Sequence, residues 1–416
     1  MKQLQHTPEG VRDIYNIECE KKLSLEGRLH KILQMYGYHN IQTPTFEYFD
    51  VFRKEIGTIP SKELYKFFDK EGNTLVLRPD FTPSIARAVA TLFPDNDMPI
   101  RLCYSGNTFV NYTKSYQGRM RENTQMGAEL IGLDSVEADA EMLVMVVDCL
   151  RTIGLKNFQI SVGNVEFFQS LIEDANLMED EEKRVRDLIS NRNFLGVEEY
   201  LDKINVRRSA KEGIVSLGDL YGGVEVLALA SNLAPNSKAI MAVRRLEQIF
   251  EILKLYGVEK YINFDFSMSD IYGYYTGIIF RGYTFGTGDA IVKGGRYDHL
   301  LEKFGKQSPS IGFAFTIDQL MNALVRQRIR ISFTKKNTLI LYDENRRNDA
   351  IKIVRDFREK CKNSELIKKM PSKSLDDYIR YGKESYAGSL LYLRNNREIL
   401  MINLVTGEQK TIQSNK

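Results

Sequence analysis

The sequence predicts an α+β fold in which helices flank a mainly antiparallel sheet. Several stretches alternate apolar and polar residues with the period of two that a strand requires, and most of them are joined by short hairpin turns. Residues 178–257 instead show helical periodicity, with strand patterns on both sides of them. Strands linked mostly as hairpins favour an antiparallel α+β domain over a doubly wound parallel sheet.

The chain is long enough for more than one domain, since 416 residues exceed the usual size of a single core. We expect a first domain at 1–328, with a helical insertion at about 178–257, and a small α/β domain at 335–416. Residues 331–416 hold 18 Lys and Arg against 11 Asp and Glu. A basic domain can bind nucleic acid, but small lysine-rich domains are often only soluble, so both interpretations stay open.

Composition excludes several classes of protein. The chain is 43% hydrophobic and 27% charged, which is typical of a folded soluble protein. It shows neither an apolar run long enough for a membrane span nor the apolar core of a signal peptide. The four cysteines and four histidines are dispersed without CxxC spacing, and the usual nucleotide-binding glycine motifs are missing. We therefore expect a cytoplasmic protein with no structural metal and no cofactor.

A pair of strands joined by a long basic loop forms the centre of the first domain. In its second strand, Gln125, Gly127 and Glu129 fall on the face opposite the apolar residues. Because glycine has no side chain, we expect a ligand to lie against the backbone at Gly127. The loop supplies Arg119 and Arg121, which can line a pocket for a small polar molecule. An ordinary half-exposed hairpin is the alternative.

Two glycine-rich segments follow in the same domain. Residues 294–298 (GGRYD) can bring backbone N–H groups and Arg296 against an anion, so we expect Arg296 to line the pocket as well. Residues 285–289 (FGTGD) lack the acids and threonines of a phosphoribosyl-pyrophosphate loop. They predict a hairpin turn.

Five motifs, taken in their order along the chain, resemble a known family, whereas no single one of them is specific by itself. They are RPDFT at 78–82, the hairpin from FVNY to QMGAE at 109–129, YYTG at 274–277, GGRYD at 294–298 and IGFAF at 311–315. In this order they strongly resemble the catalytic domain of histidyl-tRNA synthetases. The resemblance implies a class II aminoacyl-tRNA synthetase-like antiparallel sheet flanked by helices.

The resemblance extends towards both ends of the chain. PEGVRDIY and the strand around Pro44 resemble the opening segment and the dimer-forming first motif of that family. SLDDYIRYGKESYAGSLLYL and LVTGEQ resemble part of its anticodon-binding domain, here shortened. The resemblance therefore implies a dimer formed through the Pro44 segment.

The resemblance fails where ATP would be handled. A synthetase has Arg and Glu at the positions of Val110 and Tyr112, a Glu-Arg pair at Asp318 and Gln319, and an Arg at Asp270. Charge-assisted hydrogen bonds are worth roughly 1.5–3 kcal/mol each, so losing three cations removes roughly 5–9 kcal/mol. That is about four to six decades in rate. We therefore expect no aminoacyl-adenylate formation.

Six positions match the histidine pocket of the family: Asp80, Thr82, Gln125, Glu129, Tyr274 and Tyr275. The first three would take the ammonium group of histidine. Glu129 and a tyrosine hydroxyl would bracket the two imidazole nitrogens, each of which needs a directed partner. A site that keeps amino-acid recognition without ATP handling is that of a sensor, and a relic pocket is the alternative.

A histidyl-tRNA synthetase-like chain without catalytic residues resembles the regulatory subunits of ATP phosphoribosyltransferase. This resemblance implies a chain without activity of its own that joins the short-form catalytic subunit in a hetero-oligomer of histidine biosynthesis. It also implies L-histidine as a feedback effector. A divergent histidyl-tRNA synthetase and a tRNA-binding histidyl-like module are the alternatives. Against tRNA as a partner, the basic C-terminal domain is shortened and shows no aromatic-basic interleaving on any one strand.

Overall fold

The structure is a computed structural model that describes residues 5–53, 59–95, 97–112, 120–268, 274–332, 337–396 and 398–413. It divides into two compact units. The first contains Met1–Asp13 and Leu25–Ile331, and the second contains Ile14–Ser24 and Ser332–Lys416. The second unit thus includes a segment near the N-terminus that the sequence analysis assigned to the first domain.

The strands of the described residues are, in chain order, β1 His39–Asn40, β2 Phe46–Tyr48, β3 Lys66–Phe68, β4 Thr74–Leu77, β5 Ile100–Phe109, β6 Glu122–Ile131, β7 Phe158–Asn164, β8 Tyr221–Gly222, β9 Ile262–Asp265, β10 Ile278–Thr284, β11 Val292–Arg296, β12 Ser310–Thr316, β13 Thr338–Tyr342, β14 Ser364–Lys368, β15 Ser389–Leu393, β16 Glu398–Asn403 and β17 Gln409–Gln413. The α-helices are α1 Ile17–Met35, α2 Thr82–Leu92, α3 Val136–Thr152, α4 Val165–Asp174, α5 Glu179–Ser190, α6 Phe194–Lys203, α7 Arg208–Val215, α8 Glu225–Leu233, α9 Ser237–Leu255, α10 Ile317–Arg326, α11 Arg347–Glu359 and α12 Leu375–Glu384.

A nine-stranded sheet organises the first unit, in the order β1-β5-β6-β12-β11-β10-β7-β9-β8. Its pairs are antiparallel except for β1 with β5 and β7 with β9, which are parallel. This arrangement confirms the predicted α+β class. The hairpin of β5 and β6 is in register from Ile100 opposite Ile131 to Phe109 opposite Glu122.

One face of this sheet is covered by the main hydrophobic core. Met126, Ala128 and Leu130 of β6 are buried in it, together with residues of α3, α4 and α9. The predicted apolar face of β6 is therefore confirmed. Burial of this face leaves the alternate residues of the same strands on the opposite face of the sheet.

The inserted block between β7 and β9 consists mainly of helices, α4 to α9. The prediction of a wholly helical block is wrong at one point, because Tyr221 and Gly222 form β8 and pair with β9 at the edge of the central sheet. Two residues are too short for a period-2 pattern to be recognised. A buried carboxylate, Asp265 of β9, accepts a hydrogen bond from Arg192 in the turn that follows α5.

A small sheet, in the order β2-β4-β3, carries the Pro44 segment. Arg78, which lies just after β4, stabilises this segment. Its Nη1 atom donates hydrogen bonds to the carbonyl oxygens of Thr43 at 2.7 Å and Pro44 at 3.2 Å. Its Nε atom donates to the carbonyl of Asn107 at 2.9 Å, and the guanidinium stacks on the Phe81 ring at 4.1 Å. Arg78 thus joins this sheet to β5 and to the start of α2.

The second unit is built on a five-stranded sheet in the order β14-β13-β15-β16-β17. The first three strands are parallel and the last two pairs are antiparallel. The sequence analysis missed β14 and β17. Ser364–Lys368 is half-buried and Gln409–Gln413 is exposed at an edge, so neither shows the alternation that marks a strand.

Arg296 occupies a different place from the one predicted. Its side chain is 2% exposed, and it is not among the residues that line the cavity on the open face of the central sheet. The guanidinium donates to Asp139 at 2.6 and 3.0 Å, to the Leu133 carbonyl at 3.1 Å and to Asp298 at 3.0 Å. Arg245 donates to the second oxygen of Asp139 at 2.6 Å. This buried network attaches α3 and α9 to the end of β11.

We predict that Arg296→Met destabilises the first unit by about 3 kcal/mol or more, because removing one partner of a buried ion pair leaves the other poorly compensated. Arg208→Gln is the matched control, since its ion pair with Glu212 is exposed and should contribute less than about 0.5 kcal/mol. Urea unfolding followed by circular dichroism measures both. Equal midpoints for the two variants would show that the buried network contributes nothing to stability.

Candidate functional site

A cavity of about 600 Å³ lies on the face of the central sheet opposite the main core. Strands β6, β10, β11 and β12 contribute to its floor, and the start of α2 and the end of β5 contribute to its walls. All six residues of the predicted histidine pocket line it: Asp80, Thr82, Gln125, Glu129, Tyr274 and Tyr275. The structure therefore brings together residues that lie up to 195 positions apart in the chain.

Glu129 is the most deeply buried carboxyl group of the cavity, with 1% of its surface exposed. The Thr82 hydroxyl donates to its Oε1 atom at 2.9 Å, and the Tyr297 hydroxyl donates to its Oε2 atom. Burial raises the pKa of Glu129 to about 8; the two hydrogen bonds act in the opposite direction, and nearby Asp80 adds to the increase. Near neutral pH the carboxyl is mostly protonated, so it can donate a hydrogen bond as well as accept one.

Close packing requires glycine at two positions in the strands that form the floor of the cavity. A Cβ atom on Gly312 would overlap the Glu129 carboxyl, which lies over this residue. A Cβ atom on Gly127 would overlap the Phe313 carbonyl and lie 2.5 Å from the Tyr104 hydroxyl. The expectation that a ligand lies against the backbone at Gly127 is therefore wrong, because the Tyr104 side chain already occupies that space.

The corner predicted for an ammonium group has the acceptors that such a group needs. The Oε1 atom of Gln125 is buried and accepts no hydrogen bond from any described residue. Thr82 donates its proton to Glu129, so its own lone pairs can accept. Asp80 accepts from the Phe81 N–H at 2.7 Å, which fixes the position of its carboxylate. These three residues line one cavity and together supply oxygen acceptors for a cation.

Tyrosine rings enclose the Glu129 end of the cavity. The centroids of Tyr274 and Tyr275 lie 4.1 Å apart, and those of Tyr274 and Tyr297 lie 5.9 Å apart. Tyr297 was missed by the sequence analysis, which selected Arg296 from the same motif. The alternation of β11 could have identified it, because Tyr297 follows Gly295 by two residues and so belongs to its face.

The positions at which a synthetase handles ATP also belong to this cavity. Val110, Tyr112 and Gln319 line it, and none of these side chains carries a positive charge. Asp318 accepts a hydrogen bond from the Thr124 N–H at 2.9 Å, so it supports β6. The cavity thus contains all six residues of the predicted histidine pocket together with Val110, Tyr112 and Gln319, the residues that the sequence analysis placed where a synthetase handles ATP.

Three further residues were singled out by the sequence analysis. Two of them lie outside the described residues, and the third does not line the cavity. Arg119 and Asp270 lie outside the described residues. Arg121 packs beside the N-terminal segment: its N–H donates to the Gly10 carbonyl at 2.7 Å, and its guanidinium lies 4.0 Å from the Glu9 carboxylate. It is not among the residues that line the cavity.

Two cations of the cavity were not foreseen. Arg281 of β10 and Lys293 of β11 both line it, and they face each other across the two strands. The alternation of IIFRGYT could have identified Arg281, since it lies on the face of Ile279, another residue that lines the cavity. In the described part of the chain no group of three or more His, Cys, Asp or Glu side chains is arranged to hold a metal ion. No helix there is long and apolar enough to cross a bilayer.

Comparison with known proteins identifies the family. The profile of histidyl-tRNA synthetase matches residues 10–320. A relative from Acetivibrio thermocellus, named ATP phosphoribosyltransferase regulatory subunit, is 39% identical over 403 residues, which cover 97% of this chain and 96% of the relative.

Solved structures agree with this assignment. A crystal structure from Bacillus halodurans, described as an ATP phosphoribosyltransferase regulatory subunit/histidyl-tRNA synthetase, has a TM-score of 0.83 and 30% identity and covers 94% of this chain and 98% of its own. Histidyl-tRNA synthetase from Nostoc shares the fold, with a TM-score of 0.80, 19% identity and coverage of 98% of this chain and 96% of its own. The fold is therefore that of class II aminoacyl-tRNA synthetases. The chain belongs to the histidyl-tRNA synthetase family and, within it, to the ATP phosphoribosyltransferase regulatory subunits.

Proposed function

We propose that the chain is a non-catalytic, cytoplasmic subunit that activates the short-form catalytic subunit of ATP phosphoribosyltransferase in histidine biosynthesis. Relatives that align with nearly the whole chain are named ATP phosphoribosyltransferase regulatory subunit. All four cysteines are free thiols, as expected in a reducing compartment. The activity belongs to the complex, and this chain contributes regulation.

One observation carries the proposal. A single cavity contains the six residues that match a histidine pocket, whereas Val110, Tyr112 and Gln319 stand where a synthetase places its ATP-binding groups. Phosphoryl and adenylyl chemistry needs cations that offset the charge developing in the transition state. A cavity with acceptors for an amino acid and without those cations supports binding in place of catalysis.

The chemistry of the pocket supports L-histidine as the bound effector. Asp80, Thr82 and Gln125 offer oxygen acceptors for the ammonium group. The Glu129 carboxyl and the surrounding tyrosines offer partners for the imidazole ring, whose two nitrogens each need a directed hydrogen bond. Histidine would inhibit the transferase only insofar as it binds the less active assembly more tightly than the active one.

The proposal predicts the outcome of a reconstitution assay. The chain alone should show no histidine-dependent pyrophosphate exchange with ATP, because the ATP-binding cations are replaced. Added to a short-form transferase chain, it should raise phosphoribosyl transfer, and L-histidine should lower the rate again. Histidine-dependent exchange would establish a divergent synthetase instead. Salt-sensitive tRNA binding by the full chain would favour the nucleic-acid-binding alternative.

We predict that histidine binds most tightly between about pH 6.5 and 8. The complex holds one proton between the imidazole and Glu129. Below about pH 6.5 the imidazole of free histidine is protonated as well as the Glu129 carboxyl, so binding releases one proton. Above about 8 the Glu129 carboxyl is ionised and the imidazole is neutral, so binding takes a proton up. Affinity should therefore fall towards tenfold per pH unit on either side.

Calorimetric titration in buffers of different ionisation enthalpy measures both the affinity and the proton exchange. The isosteric variant Glu129→Gln should bind histidine about ten- to a hundredfold more weakly and lose the proton uptake at high pH. ATP should leave the wild-type titration unchanged. A histidine affinity that Glu129→Gln does not alter would remove Glu129 from the binding site.

We also propose that two copies associate through the small sheet. Phe46 and Tyr48 of β2 are exposed on the outer face of this sheet. Phe67 of β3 packs edge-on against Phe46, with the two ring centroids 5.9 Å apart. Contiguous exposed aromatic side chains are typical of protein interfaces. The Pro44 segment that precedes β2 resembles the dimer-forming motif of the family.

Phe46→Glu should shift the chain from dimer to monomer, because a carboxylate would be desolvated twice in a symmetric interface. Leu255→Glu is the control: Leu255 is 88% exposed at the end of α9 and lies on a different surface. Light scattering coupled to gel filtration reports the mass of each variant. A Phe46→Glu protein that remains dimeric would place the interface elsewhere.

A further inference from the structure

Tyr297 lies where the buried network around Arg296 meets the cavity. On one side of it, Arg296 donates to Asp139 at 2.6 and 3.0 Å. On the other side, Asp298 accepts from Arg296 at 3.0 Å and from the Ser310 N–H at 2.9 Å. Tyr297 itself donates from its N–H to the Ser310 carbonyl at 2.7 Å. The backbone is therefore fixed on both sides of Tyr297, which sets the direction of its side chain.

The side chain of Tyr297 lines the cavity, although only 2% of the residue is exposed. Its ring lies beside Tyr274, with centroids 5.9 Å apart, and its hydroxyl donates to the Oε2 atom of Glu129. Burial raises the pKa of Tyr297 well above the ordinary value for tyrosine, and the nearby Glu129 carboxyl adds to this increase. The hydroxyl therefore keeps its proton over the pH range in which Glu129 titrates, and it remains a donor.

The two oxygens of Glu129 have different surroundings. Oε2 accepts from Tyr297 and lies over the β12 backbone, where a Cβ atom on Gly312 would overlap it. Oε1 accepts from Thr82, which belongs to the corner that offers acceptors for an ammonium group, here called the amino-acid corner. Oε2 is thus enclosed between the β12 backbone and Tyr297. A ligand that reaches Glu129 from the amino-acid corner would meet Oε1.

The direction of the Glu129 carboxyl depends on such partners. The terminal torsion of a glutamate side chain has broad, roughly two-fold minima, so the side chain alone does not fix where its oxygens point. Thr82 donates to Oε1, but a threonine hydroxyl can rotate towards other acceptors. Tyr297 holds the other oxygen from a ring that is itself enclosed. Its hydrogen bond is therefore the one that selects the orientation of the carboxyl group.

We propose that Tyr297 is a positioning residue of the proposed histidine site, which holds the Oε2 atom of Glu129 so that Oε1 presents the carboxyl proton to an imidazole nitrogen. The inference rests on the proposed function, because it needs histidine to bind against Glu129. Whether the proton stays on the carboxyl oxygen or passes to the imidazole nitrogen, the complex contains the same number of protons. A ligand must then bring a ring nitrogen without a hydrogen, so the site selects the neutral imidazole of histidine near neutral pH.

Tyr297→Phe tests this role, because it removes the hydroxyl and keeps the ring beside Tyr274. Calorimetric titration of the full-length chain with L-histidine between about pH 6 and about pH 9.5 measures both the affinity and the proton uptake. At about pH 7 we expect binding to be about three- to tenfold weaker, the effect of one lost hydrogen bond. Burial raises the pKa of Glu129 to about 8, and the hydrogen bond from Tyr297 acts against that increase. Its loss should therefore move the onset of proton uptake to a higher pH.

This direction separates positioning from a purely structural role. If Tyr297 served only to close the pocket, its loss would admit water, and a less buried Glu129 would have a lower pKa. The other titratable groups near Glu129 are Asp80 and the hydroxyls of Tyr38 and Tyr104. Burial raises the pKa of both tyrosines far above the ordinary value, so neither titrates in this range. All three groups are unchanged in the variant.

Tyr36→Phe is the matched control. The Tyr36 hydroxyl donates to Asp148 at 2.7 Å, and the residue packs against the main core and does not line the cavity. This variant loses the same kind of bond between a tyrosine and a carboxyl group, so it should bind histidine like the wild type, with the same onset of proton uptake. Thermal melting of both variants sets the temperature of the titrations, which stay well below the lower midpoint so that only folded protein is compared.

The proposal is overturned if Tyr297→Phe binds histidine like the wild type, or if the onset of proton uptake does not rise. If the wild type gives no heat with histidine, the proposed effector and this inference fail together. Failure of the inference alone gives a different result, because the wild type then still binds histidine and L-histidine still lowers the rate of the reconstituted transferase.

Discussion

The side chain of Glu129 joins four elements of the first unit at one point inside the cavity. It projects from β6, lies over Gly312 of β12, and accepts hydrogen bonds from Thr82 at the start of α2 and from Tyr297 beyond β11. A buried carboxyl group is tolerated only where hydrogen bonds replace the water it has lost. The positions of the surrounding elements are therefore set by the need to supply those partners, and the cavity takes its shape from them.

Much of this site could be predicted because the chain itself records which face of a strand is apolar. Alternation along β6 separated Met126 and Ala128, which are buried in the core, from Gln125 and Glu129, which line the cavity. The order of the motifs then supplied the residues from distant segments. Local pattern and long-range resemblance together were enough to assemble the amino-acid corner.

The predictions for Arg296 and Gly127 were wrong for the same physical reason. Arg296 was expected at the pocket because its motif is rich in glycine, but its partner Asp139 lies 157 positions away. No local pattern reports that pairing. In the same way, Gly127 suggested open space, whereas Tyr104 from the neighbouring strand fills it. A sequence shows which positions lack a side chain and which carry a charge. Only the packed structure shows which other side chain fills the space beside a glycine, or which one pairs with a charged residue.

Gly312 has a consequence for tracing this site through related chains. The residue must be glycine for as long as Glu129 lies over it, whether or not any effector is bound. A pocket that loses its ligand would thus keep this pair as a packing relic. Gln125 is different, because its buried Oε1 atom accepts no hydrogen bond from any described residue. Drift at Gln125, with Glu129 and Gly312 retained, would mark lineages in which the proposed histidine sensing has been abandoned.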